Sequence, residues 1–236
     1  MTPKEQREYW LKFHRFQQRQ EAIYVPKINK ILKEQVQEFI RTKDTVYIRS
    51  TQLHGELFKL HVEVGTLWAK HTRSMLLKAD GRIGFSERIF QLIRQYFFND
   101  LLAIAEDITQ TTIRLIQEVL TRGAQSGASF DDMVKEIESP DFTRQRARLI
   151  ARTETVGAAN QANYINAVES GKPLNKIWIA ARDNRTRPDH VAVNQTVIPL
   201  HQKFVVGDSL MLYPGDKNGS AAEVCNCRCT VAFIPL

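Results

Sequence analysis

No apolar run in this 236-residue chain approaches the roughly 20 residues needed to cross a bilayer. The opening stretch MTPKEQREYWLKF also lacks the basic-then-apolar pattern of an export signal. A folded, soluble chain made and kept in a cytoplasm is the expectation. Cysteine is scarce: three residues, all within 225–229, cannot build a disulfide framework, leave at least one thiol free and suit a reducing compartment. Equally missing are an HExxH helix, a P-loop and a glycine-rich dinucleotide loop, and the six histidines are scattered. GDKNG, 215–219, is a calcium-loop fragment without the rest of the twelve-residue pattern, so it reads as a turn ahead of a short helix at Ser220 to Glu223. No nucleophile with its base is visible, which argues against an enzyme.

Hydrophobic residues make up 43% of the chain, enough to build one large core or two small ones. The net charge of +7 is unevenly spread: residues 1–80 carry 15 Lys+Arg against 9 Asp+Glu, residues 81–140 carry 6 against 9, and residues 141–236 carry 12 against 8. Two basic ends around an acidic middle suit contact with nucleic acid or an acidic protein surface, and equally a merely solvated basic surface.

From Lys4 to about Arg41, apolar residues recur at three- and four-residue intervals, interrupted near Pro26, which predicts two helices with a kink or break between them. The aromatic stripe Tyr9, Trp10, Phe13 and Phe16 is read as core before docking face. TVYIRSTQ, 45–52, is a candidate extended piece. Helices follow over Leu53 to Leu77 and Glu87 to Thr121, separated by a turn at Ala79 to Gly84; the second has a broad apolar face that includes Ile89, Ile93, Tyr96, Phe97 and Leu101. GAQSGAS, 123–129, marks the expected boundary between a helical N-terminal region, 1–125, and a C-terminal domain, 126–236. Ser129 and Asp132 form a capping box for a short helix ending before Ser139-Pro140, and a long helix then runs to a stop at Gly171 before Pro173. NKIWIAA, VIPL, FVVG and LMLY are short strand candidates. The fold class expected is α+β: a mainly helical N-terminal region followed by a small α+β domain with a short antiparallel sheet.

The long helix carries an anomaly. Ala147, Ala151, Ala158, Ala162 and Ile165 form one small apolar stripe, and Glu154 falls on it. A buried acid needs a partner, and an arginine of the 182–190 corner or Arg228 is the expected one, since the guanidinium fork suits a carboxylate. Arg144, Arg148 and Arg152 form a basic ridge alongside. In CNCRC, 225–229, reading with period two sets Cys225, Cys227, Cys229, Val231 and Phe233 on the inward face of a terminal strand. Buried structural thiols are preferred there; zinc held by Cys225, Cys227, Cys229 and His190, or with His201, and redox chemistry stay open as alternatives. RDNRTRPDH, 182–190, is a strand-to-helix corner in which Thr186 is the expected cap and Asp189 reaches back. His190 as a general base with Arg185 and Arg187 stabilising an anion is the enzymatic alternative to an ion-pair network.

These stretches, taken in order, resemble a known family. ARTET (151–155), Trp178, DNRTRPDH, Pro199-Leu200, Pro214-Gly215-Asp216 and Asn226-Cys227-Arg228-Cys229 resemble the phage Mu F-like head-morphogenesis family, also called minor head or minor capsid proteins. The resemblance covers residues 130–236, and its motif residues carry over as Arg152, Thr153, Glu154, Trp178, Asp183, Arg185, Thr186, Arg187, His190, Asn226, Cys227, Arg228 and Cys229. It departs at Asn194-Gln195, where an acidic-Gly turn is usual but Asn can still occupy a left-handed turn position, so the hairpin still fits, and at the added Cys225. The resemblance implies a non-enzymatic, cofactor-free component of a tailed-phage or prophage head. Such a component is expected to act in head assembly and in portal-proximal DNA packaging or ejection, to reside in the head interior and to be made in the host bacterial cytoplasm. The implied partners are the portal protein, the major capsid or scaffolding protein and double-stranded DNA, with no membrane. Arg144 and Arg148 are the DNA-contact candidates. Some members are fused to toxin domains, so a cryptic nuclease or transferase at Arg185, Arg187 and His190 is the alternative; seven residues follow Cys229, too few for an appended toxin.

Overall fold

In the computed structural model, which describes residues 1–77 and 87–236, long helices come first and short strands last, giving an α+β fold. The helices are α1 (Pro3–Thr42), α2 (Thr51–Leu77), α3 (Glu87–Ser126), α4 (Phe130–Glu138) and α5 (Pro140–Val168). Beyond them lie β1 (Leu174–Ile179), α6 (Pro188–Ala192), β2 (Val197–Pro199), β3 (Phe204–Val206), β4 (Ser209–Met211), α7 (Ala221–Val224) and β5 (Thr230–Pro235). The turn expected at Ala79 to Gly84 lies outside the described residues, as do the side chains of Tyr96 and Phe97.

The first expectation to fail is the break at Pro26. α1 is one helix of 40 residues, about 60 Å at 1.5 Å per residue, and Pro26 lies inside it. An interior proline costs about 3 kcal/mol. Buried residues continue on both sides of it, from Phe13, Gln17, Gln20 and Tyr24 to Ile28, Ile31 and Leu32, so packing along the whole helix outweighs that cost. The piece at 45–52 is not extended either: Asp44 caps a single 3-10 turn at Thr45–Tyr47, and α2 starts at Thr51.

α5 is the axis of the molecule, packing against both α1 and α2. Its predicted stripe is inside: Ala147, Ala151, Glu154, Ala158 and Ala162 are all buried, with Ile165 partly so. The aromatic stripe of α1 is core, as read: Tyr9, Phe13 and Phe16 pack around Trp68 of α2 at ring-centroid distances of 5.9, 5.1 and 5.0 Å. Ser129 accepts a hydrogen bond from the Asp132 amide to start α4, and Gly171 takes a left-handed φ of 64° after α5.

β1 is the centre of a three-stranded antiparallel sheet of order β2-β1-β5, with Trp178 opposite Val231 and Lys176 opposite Ile198. β3 and β4 form a separate hairpin. Strand β5 begins at Thr230, so the period-two strand expected from Cys225 does not form. α7 ends at Val224, Cys225 is its C-cap, and Asn226 is left-handed at φ 62°; this turn breaks the alternation and separates Cys225 from the other two thiols. At the earlier turn the left-handed residue is Gln195, φ 68°, not Asn194, whose side-chain oxygen instead accepts from the Ala180 amide.

Candidate functional site: the 225–229 turn and its buried cysteine–histidine centre

The short turn from Cys225 to Cys229 is held from three directions. From α5, Thr153 Oγ1 accepts the Asn226 amide at 2.9 Å, and Arg152 Nη1 donates to Asn226 Oδ1 at 2.8 Å. Arg152 also grips both oxygens of Glu21 on α1 at 3.0 Å each, so the helix pair and the turn share one guanidinium. From the strand-to-helix corner, Arg187 donates to the Cys225 carbonyl at 2.6 Å. Asp183 meets Arg228 with both oxygens. From α1, Trp10 Nε1 donates to the Arg228 carbonyl at 3.2 Å, and Tyr9 Oη to the Val231 carbonyl at 3.2 Å.

Buried asparagines of α5 complete the frame. Asn160 Nδ2 donates to the carbonyls of Pro214 and Cys229, while its Oδ1 accepts from Thr230 Oγ1 and the Val231 amide. Asn163 Nδ2 donates to Tyr9 Oη and the Val231 carbonyl, both at 3.1 Å. These asparagines carry the same backbone groups a neighbouring strand would satisfy. Sequence reasoning passed over them, although Asn160, Asn163 and Asn166 on the inward side of a helix are a readable polar interruption.

Glu154 is buried, but its partner is neither a corner arginine nor Arg228. His61 of α2 meets it, Nε2 to Oε2, at 2.8 Å. Arg228, 6% exposed, is already taken by Asp183. Burial pulls the Asp183 carboxyl upward, but hydrogen bonds from Arg228 and the Arg185 amide, with the charges of both arginines, outweigh it and hold the carboxyl below the usual range. Glu154, His61 and Cys225 line a cleft of about 380 Å³ between α2, α3 and α5.

The expected cap at Thr186 does not form. Arg187 is the N-cap of α6, Pro188 sits at its first position, and Thr186 Oγ1 donates to the Ala181 carbonyl at 2.7 Å. Arg185 is largely solvent-exposed. The corner therefore splits: Arg185 faces out, while His190 goes inward, 1% exposed, with its ring edge-on to Trp178 at 5.6 Å. Its Nε2 lies 2.9 Å from Glu223 Oε2, and its Nδ1 faces Cys229 Sγ at 3.3 Å and Cys227 Sγ at 3.7 Å. Cys227 and Cys229 are 2% and 1% exposed.

The electrostatics of this centre are tightly linked. Burial alone would depress the His190 imidazole, but Cys227 on one nitrogen and Glu223 on the other raise it. Hydrogen bonding from Cys229 and the neighbouring His190 hold Cys227 well below the ordinary thiol range, while burial pushes Cys229 well above it. The cluster of His190, Cys227 and Cys229 excludes two residues weighed for a zinc set: Cys225 stands at the α7 cap, and His201 lies exposed near the Tyr164 hydroxyl. The arrangement can share protons or hold a cation. It presents no open face to a substrate.

Arg144 and Arg148 are exposed on α5, whereas Arg152 is committed to Glu21 and Asn226. Arg146, which the four-residue ridge skipped, turns inward to Thr112 Oγ1 and the Ile108 carbonyl of α3.

A family model described as Phage Mu protein F like protein matches residues 114–232, from the last turns of α3 into β5. Among curated proteins, an uncharacterized protein of Bacillus subtilis (strain 168), YqbB, is 28% identical over 134 residues, 55% of this chain and 44% of that protein. Minor head protein GP7 of Bacillus phage SPP1 is 24% identical over 161 residues, 64% of this chain and 52% of that one. The chain thus spans about half the length of the curated relatives it matches. No solved structure matches.

Proposed function

This chain belongs to the phage Mu protein F like family, and from that membership we propose that it is a minor head protein of a tailed phage or prophage. The observation that carries the reading is the family match across the whole motif region, with a named minor head protein among the relatives. Within that role it acts in head assembly and in portal-proximal DNA packaging or ejection. It resides in the head interior after being made in the host cytoplasm. The portal protein, the major capsid or scaffolding protein and double-stranded DNA are its partners. Among the described residues no helix is long and apolar enough to cross a membrane.

A non-enzymatic role fits the site. A general base must reach the proton it abstracts, and His190 is enclosed with both ring nitrogens engaged. Arg152, Thr153, Asp183, Arg187 and His190 all spend their side chains on the 225–229 segment, which makes a fixed platform more readily than a reaction centre.

Quantitative mass spectrometry of purified particles tests the reading. A few copies of this chain per particle, counted against portal and major capsid protein, is the expected result; absence from finished heads refutes residence in the virion. For DNA contact, Arg144 and Arg148 present charge to solvent on one side of α5. Replacing both by alanine should weaken duplex binding uniformly across sequences and flatten its logarithmic salt dependence by about 0.9 per arginine that meets a phosphate. Unchanged salt dependence would remove them from the contact surface.

A further inference from the structure

We propose that His190 Nδ1, Cys227 Sγ and Cys229 Sγ are the protein ligands of a zinc ion that locks the 225–229 turn to the corner after β1. The three ligand atoms lie within 4.8 Å of one another and all three residues are buried. Zinc–sulfur bonds of about 2.3 Å and zinc–nitrogen bonds of about 2.0–2.1 Å, at a tetrahedral angle, set the sulfur-to-nitrogen edge at about 3.6 Å. The observed edges are 3.3 and 3.7 Å.

The surroundings are those of ligands. Both sulfurs accept backbone amides at 3.4 Å, Cys227 from Cys229 and Cys229 from Ala181, as a thiolate requires. On the far side of the imidazole, Glu223 occupies Nε2, which directs the lone pair of Nδ1 toward the sulfurs; this carboxylate–histidine arrangement is the usual outer support of a metal-bound histidine. Two sulfurs, a bare ring nitrogen and a carboxylate concentrated in a dry interior demand a compensating positive charge. A shared proton supplies it weakly, and a divalent ion of borderline softness supplies it with matched ligands.

The fold also explains how CxC spacing becomes competent. In an extended strand alternate thiols stand about 6.5–7 Å apart and cannot converge. The left-handed Asn226, pinned by Thr153 and Arg152, curls the chain so that Cys227 and Cys229 turn to the same imidazole. Cys225 lies before that turn and is left in the α2–α3–α5 cleft.

The full chain, purified without a metal-affinity step and in reducing buffer from cells supplied with zinc, should contain about one zinc per chain by elemental analysis. One thiol, Cys225, should react rapidly with a thiol reagent in the native protein, and all three after denaturing chelation. Cys225→Ser should keep the metal, Cys227→Ser should lose it, and Glu223→Gln should weaken zinc affinity about 10- to 100-fold. Because Cys227→Ser can simply fail to fold, wild-type protein refolded with cobalt(II) supplies an independent readout: tetrahedral d–d bands with a thiolate-to-cobalt charge-transfer band. A folded chain that is metal-free and cobalt-silent, an oxidised Cys227–Cys229 pair, copper or iron in place of zinc, or full zinc retention by folded Cys227→Ser would each overturn the assignment.

Discussion

Replacing His61 by alanine removes the buried partner of Glu154 and leaves a carboxylate, 8% exposed, facing the packed surfaces of α2 and α5. A hydrogen bond to a charged group contributes about 1.5–3 kcal/mol, and stripping one member from a fully dry ion pair costs about 3–5 kcal/mol. The α2–α3–α5 cleft admits water to Glu154 once the imidazole is gone, which pulls the cost toward the low end. About 3 kcal/mol is expected, a fall in Tm of about 6–12 °C for a chain of this size. Two companion variants separate the charge from the packing. Glu154→Gln keeps an acceptor for His61 Nε2 and should cost under about 1 kcal/mol; His61→Leu with Glu154→Leu removes the polar pair altogether and should be more stable than His61→Ala alone. Urea titrations at neutral pH supply all three values. A His61→Ala cost below about 1 kcal/mol, or a double variant no better than that single one, would refute the view that this pair is a buried, mutually dependent contact.

Asp183→Asn should flatten the acid limb of stability. The Asp183 carboxyl is held below its ordinary range, so its contribution is complete above about pH 4 and disappears as pH falls through the depressed folded value; a variant whose acid unfolding tracks wild type would contradict this. Lys176 runs the other way: burial pushes it down to about 8, with Asp216 opposing, so from about pH 8 to about 10.4 the unfolded chain holds a proton the folded one has shed. Stability should gain from this site with rising pH in that window, and the gain should vanish in Lys176→Met when unfolding free energies are compared across it. Gly215→Ala should cost about 2–5 kcal/mol: Gly215 has φ 81°, and an added Cβ would lie 2.9 Å from Gly157 Cα and 3.0 Å from its nitrogen, backbone that cannot step aside. Thermal unfolding within about 2 °C of wild type would refute that close approach.

Local pattern carried the helices and strands because each rests on a period readable within a dozen residues: the alanine stripe of α5, the apolar run of β1, the Ser129 cap. The failures share a different origin. Pro26 announces a break in any window around it, yet buried residues continue on both sides of it and the helix runs through. Glu154 announces a buried acid, but its partner lies 93 positions earlier, in LFKLHVEV, where His61 has no local mark. Within CNCRC nothing tells a strand from a turn; the left-handed Asn226 is decided by Thr153 and Arg152, more than 70 residues away. Side-chain type at the site was thus legible, and pairing across the fold was not.

That division bears on how the motif region works. Arg152, Thr153 and Asn226 meet at one end of the turn, Asp183 and Arg228 at the other, and His190, Cys227 and Cys229 beneath it. To greet a partner, side chains so used would have to give up these contacts, each hydrogen bond contributing about 0.5–1.5 kcal/mol. Arg185 is a motif side chain that stays largely exposed. Under the proposed role, recognition of other head components or of DNA falls mainly to residues outside the motif, such as the exposed Arg144 and Arg148, while the motif fixes the frame that presents them. Substitutions inside the motif should then reduce folding and partner binding together, whereas substitutions on the exposed ridge should reduce binding and leave the unfolding transition in place.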